Sequence, residues 1–198
     1  MDRKLRAQLQ SEIKKLHREL GLTFVFVTHD QDEAMFLSDK IAVFNKGRIE
    51  RVGSPTELYD DPGTQFVAQF LGEANVFDGS VGEGGDYVWN GERLRGGTAS
   101  GEQSLMIVRP ENVRVSERAD VAPGWNAVAV QVLDVSHLGS STRVDFRFGD
   151  GAIGTARLDA DPTIALRSGD TAWASWSPQS QRFVVPDREV AARVEVAA

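Results

Sequence analysis

The stretch Thr23-Phe24-Val25-Phe26-Val27-Thr28-His29-Asp30-Gln31-Asp32-Glu33 sets a histidine where an apolar run turns acidic and helical. Phe24 to Val27 are strand-forming and apolar without a break, which predicts a short strand buried on both faces. Open α/β sheets meet their ligands outside the carboxyl ends of their strands, so His29 stands at a ligand-facing position. The bland alternative is a strand-end histidine satisfied by local hydrogen bonds. Asp32 and Glu33 could serve as a general base, but carboxylates in the first turn of a helix are explained equally by its dipole. A second candidate group is Ser140-Ser141-Thr142-Arg143. Its hydroxyls, turn amides and guanidinium could hold a small oxyanion, and the same residues also suit a turn in a β-barrel.

Composition narrows the chemistry. The 198 residues are 41% hydrophobic and 26% charged, an ordinary soluble mixture, with a net charge of −7. An acidic chain without a basic groove does not attract nucleic acid backbones, although Trp89, Trp173 and Trp176 could stack bases. The absence of cysteine excludes disulfides and thiolate metal sites and accords with the cytosol. Apolar runs of a few residues are too short for a membrane span or a signal-peptide core, so membrane association must come through a partner.

The elements that position these groups can be read in order. Leu5, Leu9, Ile13, Leu16 and Leu20 form one face of an amphipathic helix, with Gly21 as its cap. Lys14, Lys15 and Arg18 read as its solvated face and His17 as structural. Asp30 caps a helix from about Gln31 to Leu37. Ile41–Phe44 and Arg48–Val52 flank the hairpin signal Asn45-Lys46-Gly47. Ser54-Pro55-Thr56-Glu57 is a capping box with proline at the first helical position. Pro62-Gly63 ends that helix, Gln65–Leu71 forms another, and Gly72-Glu73-Ala74-Asn75 reads as a hinge. All five lysines precede residue 47, whereas Gly79, Gly82, Gly84, Gly85, Gly91, Gly96 and Gly97 crowd just past residue 75. A new structural unit therefore starts near there.

From Val76 the pattern is short strands with frequent turns. The expected strands are Val76–Val81, Asp86–Trp89, Gln103–Val108, Asn112–Ser116, Ala127–Ser136, Thr142–Phe148, Ala152–Leu158, Thr171–Trp176 and Arg182–Val185. Val128, Val130, Val132 and Asp134 alternate with Ala129, Gln131, Leu133 and Val135, and Gly149-Asp150-Gly151 is a hairpin turn. So many short strands predict a small closed, OB-type barrel. Val132→Asp or Phe146→Asp should then damage it far more than a change near Gly96.

Val27-Thr28-His29-Asp30-Gln31-Asp32-Glu33-Ala34 resembles the switch-histidine region of ABC-transporter ATPase subunits, where the histidine reaches the terminal phosphate of ATP. Asp2-Arg3-Lys4-Leu5-Arg6 is similar to the end of the D-loop. Leu37–Phe44, Gly47-Arg48-Ile49, Gly53–Tyr59 and Phe66–Gly72 are similar to the closing strands and helices of that ATPase domain. Further on, Ile107–Val113, Leu138–Arg143 and Trp176-Ser177-Pro178 resemble the transport-associated OB (TOBE) domain, and the junction Gly72–Gly79 is similar to the spermidine/putrescine importer branch. The resemblance implies an α/β remnant of an ABC ATPase domain over 1–75, an all-β OB-like barrel over 76–186 and a tail over 187–198. It implies His29 as the switch histidine of an intact subunit and Asp2 as a partial nucleotide contact. ATP and magnesium would serve the full-length subunit, with no cofactor or metal held by this chain. Implied partners are membrane-spanning importer subunits and a second copy through the barrel, on the cytoplasmic side of the membrane and without direct insertion into it.

A phosphate-binding loop, Gly-x-x-x-x-Gly-Lys-Ser/Thr, is needed for the ATPase reaction, and none of the five lysines follows a glycine. Ser100-Gly101-Glu102-Gln103 lies after the histidine, lacks the second glycine of an ABC signature and reads as a turn. Met1 stands where the family has leucine, so the chain is expected to start inside the D-loop, without the acidic strand that precedes it. The expectation is a C-terminal portion that does not hydrolyse ATP alone. The alternative is a free-standing OB-like barrel binding a small oxyanion through Ser140, Ser141, Thr142 and Arg143.

Overall fold

The computed structural model describes residues 3–82, 85–96, 105–117, 121–159 and 165–187. Met1, Asp2, the Ser100–Gln103 stretch and the tail from 188 onward lie outside the described residues. The chain falls into two compact units, residues 1–63 with 67–72 and residues 64–66 with 73–198.

In the first unit, helix α1 spans Arg3–Leu20. It stops because Gly21 adopts a left-handed φ of 61° and returns its N–H to the His17 carbonyl at 3.1 Å. Its apolar face survives as an exposed one: Leu5, Leu9, Ile13, Leu16 and Leu20 are 41–56% accessible. The predicted strand at Phe24–Val27 is not formed. Val25 and Val27 are 90% and 92% exposed, the opposite of a strand buried on both faces. β-propensity expresses itself only against a pleated neighbour, and among the described residues no strand lies beside this segment.

Helix α2 (Gln31–Leu37) starts at Asp30, as expected. Strands β1 (Ile41–Asn45) and β2 (Arg48–Gly53) then form an antiparallel hairpin. Its turn places Lys46 and Gly47 at φ 47° and 76°, the positive pair that matches the twist of a two-residue hairpin. Helix α3 (Pro55–Asp60) carries the complete capping box of Ser54 and Glu57. The backbone and hydroxyl of Ser54 hold the Glu57 carboxyl below its usual range. Helix α4 (Gln65–Phe70) follows.

The second unit is all-β. Its strands are β3 (Asn75–Phe77), β4 (Ser80–Val81), β5 (Tyr87–Trp89), β6 (Glu92–Leu94), β7 (Leu105–Val108) and β8 (Arg114–Ser116), then β9 (Asn126–His137), β10 (Ser141–Phe148), β11 (Ile153–Asp159), β12 (Thr171–Trp176) and β13 (Gln181–Val184). They make three antiparallel sheets, ordered β11-β10-β9-β12-β8, β13-β7-β3 and β4-β5-β6. All three contribute to one core. Among the described residues the expected OB-like unit is thus built of separate sheets wrapped on common side chains. Strands of two to four residues end before they can hydrogen-bond to the next sheet, and burial does the joining.

That core is aromatic. Phe77 meets Trp89, Phe148 and Trp176 at ring-centroid distances of 5.0, 5.2 and 5.0 Å. Trp89 and Trp176 are buried and cannot stack bases. The predicted strand Val76–Val81 is broken at Gly79, whose N–H donates to Tyr87 Oη at 2.7 Å while that hydroxyl donates to the Phe77 carbonyl at 2.8 Å. Strand β6 escaped the sequence reading, although Asn90-Gly91 (φ 50° and 81°) is its hairpin signal. At the junction, Glu73 is ion-paired and Asn75 is a buried strand residue.

Candidate functional site

His29 is exposed, and among the described residues its imidazole has no partner. The residues on either side of it are held. The Thr28 hydroxyl accepts the Asp30 N–H at 2.9 Å and donates to Glu33 Oε2 at 2.9 Å. Asp30 Oδ1 accepts the Glu33 N–H at 3.1 Å, and Asp30 Oδ2 accepts from Arg6 Nη1 at 2.6 Å. A seven-residue helix is marginal by itself, so these contacts fix the step on which His29 stands. Glu33 is committed to Thr28, which leaves Asp32 as the uncommitted carboxylate of that pair among the described contacts.

The basic side of α1 is less solvated than expected. Lys14 Nζ donates to the Phe36 carbonyl at 2.8 Å and lies 4.9 Å from the Phe36 ring centroid. His17 packs against Phe24 with ring centroids 5.4 Å apart, in keeping with a structural role. Lys15 remains on the surface beside Glu19.

Ser140, Ser141, Thr142 and Arg143 do not converge. Ser140 is exposed in the β9–β10 turn. Thr142 points into the core, fully buried, with its hydroxyl 3.1 Å from His137 Nδ1. Ser141 and Arg143 take the other face of β10, as strand alternation requires. The Arg143 guanidinium is engaged on three sides: Nε with both Asp145 oxygens at 3.0 and 3.1 Å, Nη1 with both Glu73 oxygens at 2.7 and 2.9 Å, and Nη2 with Thr155 Oγ1 at 3.3 Å. Arg157 adds a 3.4 Å contact to Glu73. Burial works to raise the Asp145 carboxyl, but the bonds from Arg143 and Thr155 and the charge of Arg143 win and hold it below the usual aspartate range. Hydrogen bonds to Asp145 and Glu73 raise Arg143 further.

Three buried amides that the sequence reading missed, in two networks, organise this unit. Asn75 Nδ2 donates to the Val108 and Thr155 carbonyls at 3.1 and 2.9 Å, and Asn75 Oδ1 accepts the Thr155 N–H at 2.7 Å, so one side chain bridges β7 and β11. Asn126 and Gln181 close a second network with the Arg95 backbone, the Gly96 carbonyl and Trp176 Nε1. An asparagine at the first position of a strand, just after a Gly-containing junction, was the available signal for the first. Nothing local marks the second, whose members are up to 86 residues apart.

Residues 106–184 match the TOBE domain family. The chain is 42% identical over 188 residues to the spermidine/putrescine import ATP-binding protein PotA of Rubrobacter xylanophilus, covering 89% of this chain and 48% of that protein. Against PotA of Thermobifida fusca the identity is 36%, covering 94% and 50%. Against the uncharacterized ABC transporter ATP-binding protein YdcT of Escherichia coli it is 40%, covering 95% and 51%. The chain thus spans about half the length of these relatives. Among solved structures, the cytoplasmic molybdate-binding protein ModG with molybdate bound is similar to 57% of this chain and 96% of that chain, at 18% identity and a TM-score of 0.48. No helix among the described residues is long and apolar enough to cross a membrane.

Proposed function

We propose that this chain, which belongs with the ATP-binding subunits of spermidine/putrescine-type ABC importers and carries a TOBE domain, supplies such a subunit with its histidine loop and its accessory β-domain. In this reading the first unit is the closing part of the α/β ATPase domain and the second is the TOBE domain. The observation that carries it is the pairing of a solvent-facing, unpartnered His29 with the exposed, strand-prone Phe24–Val27 segment that leads to it. A strand-forming run with no paired strand among the described residues, leading to an exposed histidine whose ring makes no contact there, fits one half of a composite site.

The residues present do not by themselves fit ATP and magnesium. One imidazole stands ready, but no lysine follows a glycine, so there is no loop of amides and lysine to cradle phosphates. The chain alone is therefore not an ATPase. In the longer subunit His29 meets the terminal phosphate, and Asp2 is a partial nucleotide contact. The proposed partners are membrane-spanning importer subunits and a second copy through the β-domain, at the cytoplasmic face of the membrane, with a polyamine as cargo. Ser140, Ser141, Thr142 and Arg143 serve the fold in this reading.

The test is a hybrid in which this chain replaces the matching half of the Rubrobacter relative. The hybrid is expected to hydrolyse ATP with magnesium, and His29→Ala to reduce the rate at least about a hundredfold, as loss of one preorganised charge-stabilising group does. The 198-residue chain alone is expected to show no turnover. Hydrolysis by the chain alone that His29→Ala removes would refute the reading.

A further inference from the structure

We propose that Arg6 is a positioning residue for His29, acting through Asp30 as one rung of a clasp that α1 closes over the histidine loop. The proposal rests on the reading above that His29 meets a phosphate. Helix α2 buries none of its residues. Ala34, Met35 and Leu37 are only half-buried, so polar contacts to α1 share in deciding where the helix sits.

Three contacts from α1 reach the segment at different points. His17 packs on Phe24 before the histidine. Arg6 holds Asp30 directly after it. Lys14 grips the Phe36 carbonyl near the end of α2. At 3.6 residues per turn, positions 6, 14 and 17 fall within about 80° of one another around the axis, so one side of α1 presents all three. Asp30 is the junction: one carboxylate oxygen caps α2 through the Glu33 N–H while the other takes the Arg6 guanidinium. The carboxylate therefore cannot rotate without breaking one bond or the other, and the direction in which His29 leaves the backbone is set with it. The same Arg6 bond leaves the imidazole itself uncommitted.

The experiment compares Arg6→Gln, Arg6→Lys and Asp30→Asn, the last keeping a good helix cap while losing the ion pair. In the 198-residue chain, amide hydrogen exchange is read at Glu33 and Ala34, with β9 and β10 amides as the internal reference. Arg6→Gln and Asp30→Asn are expected to speed exchange at Glu33 and Ala34 about two- to fivefold, the range that an exposed ion pair supports, and Arg6→Lys to restore part of it. In the hybrid subunit, kcat should fall by a similar factor with KM for ATP unchanged. Unchanged exchange in both Arg6→Gln and Asp30→Asn would overturn the clasp. Faster exchange with an unchanged kcat would overturn the positioning role. A hybrid whose hydrolysis ignores His29→Ala would overturn the phosphate reading and the positioning role together, and the exchange data would still judge the clasp.

Discussion

Gly154 is glycine for space. A Cβ there would lie 2.7 Å from Phe148 Cε2 and 2.9 Å from Asn75 Oδ1, with Phe146 closer still. Those atoms belong to the aromatic core and to the amide that bridges β7 and β11, and neither can retreat without breaking something. Gly154→Ala should cost about 1–3 kcal/mol in denaturant unfolding of the second unit, as overpacking does. Gly96 is constrained as well: its φ is 81°, and a Cβ would stand 2.7 Å from Pro178 Cβ. Asp145 carries a pH signature. Its carboxyl is depressed in the folded state, so its contribution is present above the unfolded aspartate pKa of about 3.9 and is lost as pH falls through the lower folded value. Asp145→Asn should therefore lower the unfolding midpoint at neutral pH and leave it little changed at the acid end. An equal loss at both ends would remove the ion cluster as the cause.

At the scale of elements, β9 shows how one residue rephases a strand. Val128, Val130 and Val132 are buried, as the alternation predicts, but the pairing with β10 slips between Asp145 and Phe146, leaving Leu133 as the extra residue. Beyond this bulge Asp134 faces solvent and Val135 packs on the core. Asp134→Val should thus leave thermal stability nearly unchanged, whereas Val135→Asp, at a half-buried position packed on the core, should cost about 1–3 kcal/mol. The reverse order would restore the uninterrupted alternation. The contrast with Phe24–Val27 is instructive: both stretches are rich in β-formers, but only β9 has neighbours on both edges, β10 and β12.

For the molecule as a whole, the second unit holds residues 64–66 through its own end. Thr64 bridges to Val185, the Gln65 N–H donates to the Val185 carbonyl at 2.9 Å, and the Phe66 N–H donates to Asp187 Oδ1 at 2.9 Å. With one shared core and its polar networks closed internally, this unit should fold without the first. A chain beginning at Thr64 should keep the β-rich circular dichroism and the unfolding midpoint that the unit shows in the 198-residue chain. Loss of cooperative unfolding would mean that the first unit is part of its core.

The sequence by itself determined whatever is local. The apolar face of α1 and its Gly21 cap, Asp30 and Ser54 as helix caps, and the Lys46-Gly47 turn all follow from chemistry within a few residues, and the structure contains them. It also marked His29, because an apolar run that stops at Thr-His-Asp is a local pattern. Only the tertiary structure decided the rest, and for one reason: burial and pairing depend on neighbours distant along the chain. The local run of β-formers could not tell that Phe24–Val27 would stand without a partner sheet. The alternation in β9 could not announce a bulge set by its register with β10. The run Ser140 to Arg143 could not reveal that Thr142 and Arg143 face opposite ways, nor that Glu73, seventy positions earlier, already occupies the guanidinium.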